Sequence, residues 1–415
     1  MGHLSLEHYH DLQSRMDRAA PGIVDSKYLY EILKLLFTDE EAKLCSLMPL
    51  TEFSLSKIAG IWGKGEEESE NILKELADKG LVYEHQDKEE KKYVLSPPLL
   101  GFFEFTLMRT DGKFDRKQLS ELYYTYINKK GALIRKYAAL EPPLMRILVQ
   151  EDMVDELSSE ILSYEKASRV IDSAECISVG TCYCRHKMEH VGRACDNPQD
   201  VCLSLNDVAK YLVKHGIAKE IDKSEAQRIL DLCVKKGLVQ MADNVREKVA
   251  MLCNCCGCCC ESLLSYKFPR LNYRINPSDY IIKIDESLCS ACGVCVDKCP
   301  AGIINQADGR VSANKERCLG CGVCARFCPT SAIKMQKRSG GKFIPQNTNE
   351  RYYLMAIDRG KLGNYLFEDQ KSRRYKILSR TVNRMVKIAW IKKFLLRPTI
   401  YRALIKLFSN KKVPF

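Results

Sequence analysis

The chain has 415 residues and few of the usual catalytic signposts. There is no G-x-G-x-x-G and no G-x-x-x-x-G-K-[ST]. A dinucleotide or nucleotide triphosphate therefore has no recognisable phosphate cradle here. No H-E-x-x-H occurs, which excludes a zincin-type protease centre. No uninterrupted apolar run approaches the ~18 residues that a membrane-spanning helix requires. The first residues, MGHLSLEHYHDL, lack the apolar stretch of a secretory signal. The expectation is a cytoplasmic chain whose thiols stay reduced. At 46% hydrophobic and 28% charged residues the composition is that of a folded protein. The length calls for several domains.

What is abundant is cysteine, 21 in all. Eighteen of these fall into three tight groups, while Cys45, Cys176 and Cys233 stand alone and read as small buried apolar residues. In a reducing compartment such bunching points to metal rather than to disulfides. Two groups are near-repeats of each other: Cys289-Ser-Ala-Cys292-Gly-Val-Cys295-Val-Asp-Lys-Cys299-Pro300 and Cys318-Leu-Gly-Cys321-Gly-Val-Cys324-Ala-Arg-Phe-Cys328-Pro329. Both fit C-x2-C-x2-C-x3-C-P. Three thiolates from one tight loop can cap three corners of an iron–sulfur cubane. Gly293 and Gly322 allow the loop to bend close to it.

Over roughly 55 residues this segment resembles the bacterial 2[4Fe–4S] ferredoxin family. The resemblance implies crossed ligation, the fourth cysteine of each run serving the other cluster. One cluster would then take Cys289, Cys292, Cys295 and Cys328, and the second Cys318, Cys321, Cys324 and Cys299. Short strands are expected at Tyr280–Ile284 and near Ala332–Met335.

The third group lies upstream. It comprises Cys182, Cys184, Cys195 and Cys202, then Cys253, Cys255, Cys256, Cys258, Cys259 and Cys260. A helix is expected between the two halves, with Asp222 as N-cap, Glu225 three residues on, and Gly237 as its stop. Vicinal cysteines pair poorly with each other but supply soft thiolate ligands. Arg185 and Lys187 would favour the thiolate form. One or two further iron–sulfur clusters are expected, with Cys182, Cys184, Cys195 and Cys202 as one ligand set and the 253–260 run as another. A zinc site and a metal-free redox thiol site remain open alternatives. His186 and His190, four apart, read as surface or core residues. The succession CYCR…C…C, CNCCGCCC and a dicluster run resembles a group of multidomain 4Fe–4S proteins from anaerobic and sulfur-metabolising microbes, which implies an architecture more than an activity.

Apolar periodicity in 25–100 suggests helices, a short helix at 53–62, a further helix from Glu66 to Lys79 and a two-stranded wing, a winged-helix-like order. DNA is not the expected partner. The would-be recognition helix carries Glu66, Glu67, Glu68, Glu70, Glu75 and Asp78 against Lys74 and Lys79, and duplex binding depends on neutralising phosphates. Residues 101–175 read as helical. From Arg351 to the end, 17 Lys and Arg face three acids, a balance of +14 against +12 for the whole chain. This basic helical tail (345–415), with Trp390 among lysines, suits an anionic membrane surface or an acidic partner.

The expected fold class is α+β and multidomain: a winged-helix-like domain (25–100), a helical region (101–175), a cysteine-rich domain (176–270), a ferredoxin-like domain (278–337) and the basic tail. The expected function is an electron carrier or relay working with a redox partner, an oxidoreductase or a flavoprotein. Lys298, Lys315, Arg317 and Arg326 would raise cluster potentials and attract that partner. The alternatives are a reductase centred on the upstream cysteines and an iron–sulfur redox sensor.

Overall fold

A computed structural model describes residues 6–87, 89–154, 165–268, 275–367 and 372–407. The stretches of the expected helical region at 155–164, of the cysteine-rich region at 269–270 and of the tail at 368–371 and 408–415 lie outside the described residues. The chain forms two compact units of mixed helix and sheet.

The first unit joins 1–142, 214–217 and 346–415. Its helices are α1 (Glu7–Arg18), α2 (Lys27–Leu36), α3 (Asp39–Ser46), α4 (Leu55–Trp62) and α5 (Glu66–Asp78), followed by a hairpin of β1 (Val82–Asp87) and β2 (Glu90–Leu95). Local chemistry sets the boundaries. Thr38 and Glu41 form a reciprocal capping box on α3. Ser54 caps α4, and the left-handed Gly63 ends it. Phe53 bridges to Tyr93, which adds a short third edge to the hairpin. On α5 the apolar Leu73, Leu76 and Ala77 are buried, while Glu66, Glu67, Glu68, Glu70 and Glu75 face solvent.

The C-terminal segment is not an appendage. The helix Thr348–Asp358 is buried over nearly its whole length. The backbone N–H of Ala20 donates to the Tyr365 hydroxyl at 2.8 Å, Lys361 donates to the Ala19 carbonyl at 2.9 Å, and Asn364 donates to the Arg18 carbonyl at 2.8 Å. Beyond it the helices Arg373–Val386, Ala389–Leu395 and Pro398–Leu407 leave Tyr375, Ile377, Leu378, Met385, Ile388, Trp390 and Phe394 exposed among Lys and Arg.

The second unit joins 143–213 and 218–345. It is built on six strands: β3 (Met145–Ile147), β4 (Ile177–Thr181), β5 (Asp200–Leu205), β6 (Lys219–Ile221), β7 (Val239–Asp243) and β8 (Met251–Cys255). They form one antiparallel sheet in the order β3-β7-β8-β5-β4-β6. The region 101–175, expected to be helical, also contributes the short strand β3, and β4, β5 and β8 flank or carry the upstream cysteines. The strands are short. β7 is buried at every position and β5 at four of six, so neither shows the alternation that marks a half-exposed strand. The expected helix runs Lys223–Lys235 with Asp222 accepting from the Glu225 N–H at 2.8 Å, and it packs on β4, β5 and β7.

After the sheet come β9 (Tyr280–Ile284), β10 (Ile304–Ala307), β11 (Arg310–Ala313) and β12 (Ile333–Lys337). β9 pairs antiparallel with β12 and β10 with β11. Tyr280 and Met335 from this layer pack with Val149 and Val154. The Gln150 N–H donates to the Cys321 carbonyl at 3.0 Å, so the sheet unit and the C-x2-C loops share one core.

Candidate iron–sulfur centres

All 21 cysteines are free thiols, and the structure gathers eighteen of them into four places. The two C-x2-C-x2-C loops each turn through a left-handed glycine, Gly293 at φ +79° and Gly322 at φ +85°, just before a short helix that carries the third cysteine. One cavity is lined by Cys289, Cys292, Cys295 and Cys328. A second is lined by Cys299, Cys318, Cys321 and Cys324. In each, three cysteines come from one run and the fourth from the other. Four soft sulfurs around an apolar cavity are a donor set that fits a [4Fe–4S] cubane.

The two cavities differ in their surroundings. Cys292 is exposed and Cys289 and Cys328 are half-buried, whereas Cys318, Cys321 and Cys324 are buried. Burial pushes the Cys321 thiol up to about 12 and raises Cys324 and Cys295. Cys328 goes the other way. Burial opposes its ionisation, but the Thr330 hydroxyl and the backbone N–H groups of Ile333, Thr330 and Ala332 hydrogen-bond its sulfur and bring it down. The basic residues around these loops are largely engaged. Arg326 donates to Gln150 at 2.7 Å and pairs with Asp152. Arg317 lies over the Tyr266 ring, 5.1 Å from its centroid, and Lys298 lies 4.7 Å from that of Phe327. Lys315 is exposed.

The ten upstream cysteines regroup in a way that chain order does not suggest. Adjacent strands β5 and β8 pair Leu203 with Leu252, which sets Cys202 beside Cys253. Cys182 N-caps the helix Tyr183–His190, and Cys260 N-caps Glu261–Lys267. Six sulfurs form a chain of hydrogen-bonded neighbours in the order Cys182, Cys184, Cys260, Cys255, Cys253, Cys202. Within it Cys253 accepts from Cys202 and Cys255 and is pulled well down. Cys260 accepts from Cys184 and Cys255, and from the Leu263 and Ser262 N–H groups, and is also pulled well down.

Cys195 separates from its sequence neighbours. It sits on the loop between the helix Tyr183–His190 and β5, and joins Cys256, Cys258 and Cys259 from the turn after β8. Their four sulfurs all lie within 4.8 Å of one another. Hydrogen bonding from Cys259, the nearby Arg185 charge and further thiol donors pull Cys256 down to about 4. Arg185 lies beside both groups. It is 1% exposed, donates to the Pro198 carbonyl at 2.8 Å and the Asn254 carbonyl at 2.7 Å, and its charge faces Cys182, Cys255 and Cys256. Lys187, expected to act alike, is instead ion-paired with Glu261, so its charge serves to lock the two cysteine-bearing helices together.

Of the remaining candidates, His186 and His190 face each other, Nε2 to Nε2 at 3.1 Å. Cys45 and Cys233 are buried, and burial pushes Cys233 up to about 12. Cys176 is only half-buried, with its sulfur 3.9 Å from a Glu220 oxygen.

A close junction, not legible in the sequence, connects the upstream turn to the C-x2-C loops. A Cβ placed on Gly257 would stand 2.7 Å from the carbonyl oxygen of Pro300, the residue that follows Cys299. Lys267 donates to the Gly257 carbonyl at 2.6 Å, and Tyr266 donates to the Arg317 carbonyl at 2.8 Å, next to Cys318. The turn carrying Cys256–Cys259 therefore rests against the buried one of the two cavities.

Among known proteins, residues 281–329 match the family model described as a 4Fe-4S dicluster domain. A stretch of 36 residues is 53% identical to translation initiation factor rli1 of Schizosaccharomyces pombe (strain 972 / ATCC 24843). That stretch is 9% of this chain and 6% of the yeast protein, so the likeness is local. No solved structure matches the chain. The dicluster match and the clustered thiols make this an iron–sulfur, metal-binding protein. Among the described residues, no helix is long and apolar enough to cross a membrane.

Proposed function

We propose that the chain relays single electrons between a soluble redox partner and a buried sulfur-rich interior. Cys289, Cys292, Cys295 and Cys328 would hold one [4Fe–4S] cluster, and Cys299, Cys318, Cys321 and Cys324 the other. The six-sulfur chain of Cys182, Cys184, Cys202, Cys253, Cys255 and Cys260 would hold a further iron–sulfur cluster. Such clusters supply one-electron storage at potentials set by charge, hydrogen bonds to sulfur and solvent exposure. The protein grades those variables. Cys292 opens one quartet to solvent, where an oxidoreductase or flavoprotein can dock, and the other quartet is shielded.

The observation that carries this reading is the pair of cavities, each walled by three cysteines of one run and one of the other. Its test is anaerobic purification followed by stepwise reduction under low-temperature EPR. The reading expects at least two one-electron uptakes, each with a fast-relaxing cluster signal. Protein without reducible iron would refute it. The compartment that fits this chemistry is the cytoplasm, where thiols stay reduced.

The α2–α5 helices with their hairpin would form a winged-helix-like module used for protein docking. The carboxylates exposed on α5 would repel DNA phosphates. The tail is read as a peripheral anchor on an anionic membrane surface. The exposed Ile377, Ile388, Trp390 and Phe394 beside basic residues favour it.

A further inference from the structure

We propose that Cys195, Cys256, Cys258 and Cys259 bind one zinc ion, tetrahedrally and without sulfide, as a structural staple distinct from the electron-carrying clusters. The argument is geometric. Four thiolates at about 2.3 Å around one ion stand about 3.8 Å apart along each tetrahedral edge. Here Cys195 Sγ to Cys256 Sγ is 3.7 Å, Cys259 Sγ to Cys195 Sγ is 3.8 Å and Cys259 Sγ to Cys258 Sγ is 3.8 Å. A cubane interposes four irons and four sulfides between its thiolates and needs a wider frame.

The same molecule provides the contrast. The two C-x2-C-x2-C quartets each line a separate apolar pocket, and neither draws its sulfurs together this closely. Among the described residues, no other set of three or more Cys, His, Asp or Glu side chains draws its ligand atoms within 4.8 Å of one another. A tetrahedral four-sulfur site takes zinc or belongs to an iron–sulfur centre; the closeness of these sulfurs excludes a cubane and leaves room for a single ion, and zinc is the usual ion of a closed structural four-cysteine site.

The surroundings suit a closed structural site. Four thiolates on a divalent ion leave two negative charges, and the buried Arg185 guanidinium lies against Cys256. The Asn197 side-chain amide donates to Cys195 Sγ at 3.3 Å, an outer hydrogen bond of the kind that orients metal ligands. The ion would tie the loop of Cys195 to a turn some sixty residues later, and so fix the turn that rests on Pro300.

The test uses the full-length protein, purified anaerobically, with zinc, iron and acid-labile sulfide counted per chain. Cys195→Ser and Cys258→Ser should each lose one zinc while iron, sulfide and cluster EPR stay at wild-type levels. Cys258 is exposed, so its variant perturbs packing least. X-ray absorption of the unmodified protein at the zinc edge should show four sulfur neighbours at about 2.3 Å and no metal neighbour. Absence of zinc from the unmodified protein, zinc content unchanged in both variants, or loss of sulfide together with iron on substitution would each overturn the assignment. The relay reading does not depend on this result, because its EPR signals arise from other cysteines.

Discussion

Thr330→Val probes which cluster a residue serves when chain order and space disagree. Thr330 follows the second cysteine run, two residues beyond Cys328, and its hydroxyl oxygen lies 3.7 Å from Cys328 Sγ. Yet Cys328, Pro329 and Thr330 line the cavity of Cys289, Cys292 and Cys295. A hydrogen bond to a thiolate stabilises the more electron-rich, reduced cluster, so removing it lowers the potential. One such bond contributes about 0.5–1.5 kcal/mol. For a one-electron couple, where a factor of ten is 59 mV, that is roughly 20–60 mV. The long distance and the three backbone donors that remain place the expected shift at the low end of that range. Thr330 is exposed, so the change leaves the core intact. The assay is an EPR-monitored redox titration. The solvent-facing cluster should move to lower potential while the buried one stays put. A shift confined to the buried cluster, or a shift upward, would refute both the crossed assignment and the hydrogen-bond argument.

Further perturbations address other parts of the molecule. Glu84 is 7% exposed and faces His215 and Lys214; burial opposes its charge, but those hydrogen bonds hold its carboxyl down from 4.5 to about 2. Its folded pKa is depressed, so its stabilisation is present above about pH 4.5 and lost as pH falls toward about 2. Glu84→Gln should cost up to about 3 kcal/mol at neutral pH. The gap between urea midpoints, read by tryptophan fluorescence, should close across that window, and a gap independent of pH would contradict the assignment. Gly257→Ala drives a Cβ into the Pro300 backbone and should destabilise the second unit by about 1–3 kcal/mol with iron retained; unchanged stability would show that the turn is not seated there. Trp390, 71% exposed, should insert into anionic vesicles. Trp390→Ala should weaken co-sedimentation by about 1.5–3 kcal/mol, roughly ten- to a hundredfold, and equal binding to neutral vesicles would count against the charged-surface reading.

The parts of the fold that could be read from sequence are those where a local rule fixes the outcome. The spacing of Cys289 to Pro300 and of Cys318 to Pro329 dictates a tight loop whatever surrounds it. Asp222 with Glu225 marks a helix start because the side chain satisfies an N–H within the same turn. The six-stranded sheet was hidden by its own burial, since β7 is covered on both faces and leaves no period of two. The upstream ligand grouping was illegible for a different reason. Cys202 meets Cys253 through the β5–β8 register, and Cys195 meets Cys256 across a loop. These are long-range pairings that no local pattern encodes. The same holds for Lys187, whose sequence position beside Arg185 says nothing of its ion pair with Glu261.

The most direct measurement compares the native protein with Cys299→Ala by EPR after full anaerobic reduction. The native spectrum should carry the broadening of two reduced cubanes that sense each other's spin. In the variant the cluster of Cys318, Cys321 and Cys324 should be lost or damaged, leaving a narrower, isolated signal from the cluster of Cys289, Cys292 and Cys295. A variant that instead keeps the former cluster and loses the latter, although Cys299 belongs to that run, would contradict the crossed arrangement on which the relay is built.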